Sequence, residues 1–201
     1  MKVLAISGSP RKQGNTEILL NEALKGAGSE GAEAELYSVS GKRIEPCDAC
    51  LSCRKTGKCH IDDDMQDLYK KMLEADGVIF GTPIYLYAMT AQTKAIMDRT
   101  FALNHDQTSL ANKIGGVVVV AASLGLLDAM KDIYFYFVSM QILPANYVAA
   151  YANAKGEVKK LSKCLEAAFQ LGRQMVLLAS KKFEYPKEIP GSHNGYGTWI
   201  K

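Results

Sequence analysis

Short, uninterrupted apolar runs alternate along this chain with longer stretches in which apolar positions recur every three or four residues. The runs are Val3-Leu4-Ala5-Ile6, Gly77-Val78-Ile79-Phe80 and residues 114–122 (IGGVVVVAA). A run of that length without polar breaks suits a parallel strand covered on both faces. Residues 32–39 (AEAELYSV) alternate only weakly and read as a strand near a sheet edge, and residues 146–151, after Pro144, read as a fifth strand. Between them, Ile18, Leu19, Ala23 and Leu24, and then Met65, Leu68, Met72 and Leu73, fall at helical spacing. Further helices are expected over residues 91–103, 126–142 and 157–180. Strand and helix in alternation imply a three-layer α/β domain around a parallel five-stranded sheet.

Two breaks in this pattern carry polar chemistry. Residues 7–16 (SGSPRKQGNT) lie between the first strand and the first helix, where unpaired backbone amides and the helix dipole favour an anion. Ser7, Ser9 and Thr16 add hydroxyl donors, Arg11 adds a planar cationic fork, and Gly8 and Gly14 allow tight turning. The same residues also suit an ordinary strand-to-helix turn. From Gly8 the sixth residue is Gln13, so the lysine and hydroxyl of a P-loop are missing, and the spacing of a dinucleotide fingerprint is missing too. A phosphate loop of neither kind favours a mononucleotide such as FMN. The second break, Gly81-Thr82-Pro83, opens a Tyr-rich segment that could meet a flat ring or a partner subunit.

GSPRKQGNT resembles the phosphate loop of the flavodoxin-like NADPH-dependent FMN reductases and of their iron-sulfur flavoprotein relatives. GTPIYLYAMTAQTKAIMDR resembles the second conserved block of that family. The resemblance implies a flavodoxin-like sandwich of strand order 2-1-3-4-5, with ligands beyond the carboxyl ends of strands one and three. It implies that FMN contacts Ser7, Ser9, Arg11, Gln13, Gly14, Asn15 and Thr16 at its phosphate and Pro83, Ile84, Tyr85, Leu86 and Tyr87 at its ring. The family's third loop follows the fourth strand, where Ser123 and Gly125 are the plausible contacts. Lys94, Asp98 and Arg99 read as an ion-pair set internal to their helix.

The most informative pattern is Cys47-x2-Cys50-x2-Cys53-x5-Cys59, in an insertion after strand two spanning residues 41–64. Four closely spaced thiolates can wrap a [4Fe-4S] cluster, although the bacterial ferredoxin run has a shorter last gap and a proline. Structural zinc usually draws on two separated knuckles, and a redox dithiol needs only two of the four, so both remain alternatives. His60 reads as a surface neighbour, and Cys164 as a small apolar residue of the last helix. Asp62-Asp63-Asp64 reads as helix-capping acid. Met130, Tyr134, Phe137 and Met140 suggest core or interface, and the aromatic run 134–137 suggests a subunit contact.

With 201 residues, 48% of them hydrophobic, the chain can build one substantial core, expected over residues 1–184, with residues 185–201 as an extended tail. A net charge of +3 is too mild for a nucleic-acid partner. No stretch approaches the roughly 18 apolar residues of a membrane span, and the apolar start is too short for a secretory signal. A cytoplasmic location is expected, where clustered cysteines bind metal rather than form disulfides. The function expected is electron transfer between a [4Fe-4S] cluster and FMN. The resemblance further implies a ferredoxin-type donor, a small-molecule acceptor and a homodimer or homotetramer. The alternatives are an NAD(P)H-dependent FMN or quinone reductase without a working cluster, and a flavin-free interaction protein stapled by a metal.

Overall fold

The computed structural model describes residues 1–103 and 109–186. The expected tail over 185–201, with Tyr196 and Trp199, lies outside the described residues apart from Tyr185 and Pro186.

Five parallel strands form the sheet, in the order β2 (Glu33–Ser38), β1 (Lys2–Ser7), β3 (Gly77–Tyr85), β5 (Ile114–Ala121), β6 (Leu143–Tyr151). A two-residue strand, β4 (Ala88–Met89), pairs antiparallel with the end of β3 and lies off this path. The expected order 2-1-3-4-5 is therefore the order found, with β4 as an extra.

Successive side chains on a strand point to opposite faces, so each apolar run feeds two cores at once. Leu4, Ile6, Val78, Phe80, Val117 and Val119 pack beneath α3 (Met65–Glu74), α4 (Ala91–Arg99) and α5 (Leu126–Ser139). Val3, Ala5, Ile79, Val118 and Val120 pack beneath α1 (Asn15–Ser29) and α6 (Ser162–Ala179). Burial on both faces is why polar residues are missing from these runs. The aromatic run of α5 is divided between core and surface: Tyr136 and Phe137 meet Phe80 edge-on in the core, while Phe135 faces outward.

Several boundaries differ from the sequence reading. β3 does not break at Gly81-Thr82-Pro83 but runs through it to Tyr85, because β1 ends opposite Gly81 and a proline beyond that point has one neighbouring strand fewer to satisfy. The real reversal is at Leu86 and Tyr87, both with positive φ (45° and 70°), the backbone of a tight hairpin. The helix expected over 91–103 is α-helical only to Arg99 and closes in a 3₁₀ turn (Thr100–Leu103). The stretch 157–180 divides at Leu161 into a 3₁₀ turn (Glu157–Lys160) and α6. Among the described residues no helix is long and apolar enough to cross a membrane.

Candidate functional site

The carboxyl ends of β1, β2, β3 and β5 all open on one edge of the sheet, and every candidate residue emerges there. The segment after β1 leads into α1, whose N-cap is Gly14 and whose first turn contains Asn15 and Thr16. A cleft of about 250 Å³ lies against this turn, lined by Ser9, Arg11, Gly14, Asn15, Thr16, Pro83, Ile84, Tyr85, Val120, Ala122, Ala152 and Asn153. Thr16 is 1% exposed, and its hydroxyl makes no hydrogen bond to the described residues. A free hydroxyl that still faces the cleft, beside the open amides of a helix start, fits a phosphate. Arg11 is exposed at the same mouth and pairs with no carboxylate among the described residues.

Not every expected residue lines this cleft. The Ser7 hydroxyl lies buried beneath the loop and accepts from the Ser9 amide at 3.4 Å. Gln13 is exposed, and its amide donates to the buried carboxylate of Glu17, which also accepts from Ser38 Oγ. Glu17 thus holds Gln13 in its left-handed conformation (φ 55°) and shapes the loop from below. Its position three residues after Gly14 is the signal that could have revealed it. The Asn15 side chain is engaged, donating to the Ala154 carbonyl at 2.9 Å and so fastening the far wall, 152–154. Ser123 is exposed outside the lining, which takes Ala122 instead. Leu86 and Tyr87 form the exposed hairpin tip. Gly125, at φ 98°, packs so closely on Tyr87 that an added Cβ would lie 2.5 Å from its carbonyl oxygen.

Thr90 ties the two loops together. It caps α4 by accepting from the Thr93 amide, and its hydroxyl donates to the Gly8 carbonyl at 2.7 Å. The Thr82 hydroxyl accepts from the Thr90 amide at 3.1 Å. Gly8 has no room for a side chain: an added Cβ would lie 1.8 Å from Thr93 Oγ1.

The cysteine segment follows β2. Cys47 and Cys50 are exposed, Cys53 and Cys59 half-buried, and all four are free thiols. Left-handed residues at Ala49, Leu51 and Gly57 turn the chain between them, and Cys53 sits in a short helix, α2 (Ser52–Thr56). Burial pushes the Cys53 thiol up against the opposing pull of a backbone hydrogen bond, and the thiols of Cys59, Cys50 and Cys47 add to the rise. The three ligand atoms within 4.8 Å of one another belong to Asp48, Cys50 and His60, and no three of the four cysteine sulfurs gather that tightly among the described residues. His60 Nε2 lies 2.8 Å from Asp48, bridging the loop on its exposed side. Cys164 lies apart in α6, its thiol 3.9 Å from the Ala149 carbonyl.

The expected ion-pair set on α4 is only half right. Lys94 pairs with Asp98 on the surface, but Arg99 turns inward and pairs with Asp63. Asp63 also accepts from the Met65 amide, so one member of the acidic triplet caps α3 and closes an ion pair at once, while the N-cap residue Asp64 accepts from the Arg43 amide.

A model of the NADPH-dependent FMN reductases matches residues 1–154. An iron-sulfur flavoprotein of Methanocaldococcus jannaschii is 40% identical over 185 residues, covering 87% of this chain and 95% of that one. Among solved structures, a flavone reductase superposes with a TM-score of 0.72 at 24% identity, over 90% of this chain and 64% of that one. An archaeal flavodoxin superposes with a TM-score of 0.60 at 16% identity, over 90% of this chain and 99% of that one. Fold and cleft, taken with these likenesses, define a flavodoxin-like protein with a flavin-based redox role. The chain belongs to the NADPH-dependent FMN reductase family, among its iron-sulfur flavoproteins.

Proposed function

We propose that this chain binds FMN in the cleft, holds a [4Fe-4S] cluster on Cys47, Cys50, Cys53 and Cys59, and carries electrons from a ferredoxin-type donor to a small-molecule acceptor. The observation that carries this reading is the position of the two candidate sites, both at the carboxyl edge of one sheet within a single chain. Bound there, FMN supplies one- and two-electron chemistry, and the cluster supplies one-electron exchange.

The residues have separate tasks. Thr16, Ser9, Arg11 and the first-turn amides of α1 grip the phosphate; Pro83, Ile84 and Tyr85 line the way to the ring; Val120, Ala122 and Ala152 keep water from its inner side. The compact run Cys47-x2-Cys50-x2-Cys53-x5-Cys59 supports a cluster over a single zinc, which usually draws on two separated knuckles. Residues 1–184 act as one unit in the cytoplasm, and a second copy covers the exposed apolar strip of Leu86, Tyr87, Leu124 and Leu127, giving a homodimer or homotetramer.

The family match itself favours a second reading, an NAD(P)H-dependent FMN or quinone reductase in which the cysteines do not serve electron transfer. Purification without oxygen, followed by iron, sulfide, zinc and flavin analysis and an EPR spectrum of the reduced protein, separates the two. The proposal expects flavin together with about four iron and four sulfide per chain, and faster reduction by ferredoxin than by NADPH in stopped flow. Flavin without iron or sulfide, reduced readily by NADPH, establishes the second reading.

A further inference from the structure

Building on that reading, we infer that Arg99 is a positioning residue for the cysteine loop: its guanidinium closes the loop at both ends and fixes it to the helix that starts at the cleft. Arg99 is the last residue of α4 and is 1% exposed. Its Nη1 donates to the Glu45 carbonyl at 2.8 Å and to Asp63 at 2.9 Å; Nη2 donates to Asp63 at 3.0 Å and to the Ile61 carbonyl at 3.4 Å; Nε donates to Tyr69 Oη at 3.3 Å. Every N–H of the guanidinium is therefore used.

Glu45 lies two residues before Cys47, and Ile61 two residues after Cys59. One cation thus grips the chain where it enters the cysteine segment and where it leaves. Asp63 completes the closure by accepting from the Glu45 amide at 2.8 Å. At its other end, α4 is held to the phosphate loop through the bond from Thr90 to Gly8. The loop is consequently closed, and aimed relative to the cleft, before any group is bound. The ordering entropy that a cluster would otherwise have to overcome is already spent. Lysine cannot substitute, since a point ammonium has neither the fork for Asp63 nor the reach to two carbonyls at once.

The test compares Arg99→Lys and Asp63→Asn with Leu171→Ala, which removes core packing on the opposite face of the sheet and leaves the loop untouched. Three measurements are made at temperatures well below melting: hydrogen exchange of residues 45–61 in the cluster-free chain, the rate at which an iron chelator bleaches anaerobically loaded protein, and the EPR line shape after reduction. Arg99→Lys and Asp63→Asn are expected to speed exchange across the loop, to accelerate cluster loss about tenfold or more and to broaden the EPR signal, with FMN still bound. Leu171→Ala is expected to lower the melting temperature while leaving all three readouts near wild type.

If the two loop variants match Leu171→Ala in exchange and in cluster loss, the positioning role is refuted and Arg99 is only a core ion pair. Should Arg99→Lys fail to fold, Asp63→Asn decides the matter by itself. Wild-type protein without iron or sulfide would sink the electron-relay reading, whereas exchange across 45–61 in the cluster-free variants would still judge the clasp.

Discussion

Thr16 lines the cleft, and its hydroxyl makes no hydrogen bond to the described residues and keeps its contact with the opening, which makes it the sharpest probe of the cleft. Thr16→Val keeps the shape and removes the donor. Because a hydrogen bond to a charged group is worth about 1.5–3 kcal/mol, FMN affinity is expected to fall about tenfold or more, while the melting temperature of the flavin-free chain barely moves. Fluorescence titration and a thermal melt check both halves. Asp63 offers a test of the opposite kind. Burial alone would raise its carboxyl, but the Arg99 guanidinium and the amides of Glu45 and Met65 outweigh burial and hold it below the ordinary 3.8. A carboxylate with a depressed folded value contributes stability above the ordinary value and loses it as pH falls through the folded one. Asp63→Asn is therefore expected to cost about 3 kcal/mol near neutrality, the lower end for breaking a buried pair. The gap should close progressively as pH drops below 3.8, which melts of the two proteins across acid pH would show.

Among the elements, α1 and α6 cross so closely that two glycines are obligatory. A Cβ on Gly172 would lie 1.7 Å from the Ala23 carbonyl oxygen, and one on Gly26 would lie 1.9 Å from that of Phe169. Gly28, in the same α1, has nothing within 4 Å. Gly172→Ala is expected to destabilise by about 1–3 kcal/mol through overpacking, and Gly28→Ala to stabilise by about 0.5–1 kcal/mol through helix propensity; denaturant melts give both signs. These elements also show what could be read in advance. The apolar strands were legible because burial on both faces leaves an unbroken run. The hairpin was not, because Leu86 and Tyr87 take positive φ without the Asn-Gly or Gly that normally marks such a turn. Residues 14–16 were legible because their chemistry is local to a strand-to-helix junction. The wall at Ala152 and Asn153 and the pairing of Arg99 with Asp63 depend on contacts between distant parts of the chain, which no local spacing encodes.

For the whole molecule, one group of exposed apolar residues lies around the hairpin tip. Gly125 seats the loop after β5 against Tyr87, so Leu86 and Tyr87 at the hairpin tip adjoin Leu124 and Leu127, and Leu86 is 93% exposed. These exposed residues are the surface that the proposed second copy would cover. Leu127→Glu is expected to shift the protein toward monomer in light scattering without lowering the intrinsic stability of the chain, since Leu127 touches solvent in the single copy. The helix α4 has one further consequence. It runs from the knot at Thr90 to the clasp at Arg99 as a rod of nine residues, about 13 Å long at 1.5 Å per residue. A rod transmits rotation as well as distance. Inserting one residue would swing the guanidinium by about 100° and point it away from Asp63, so the clasp depends on the register of the whole helix and not on its two ends alone.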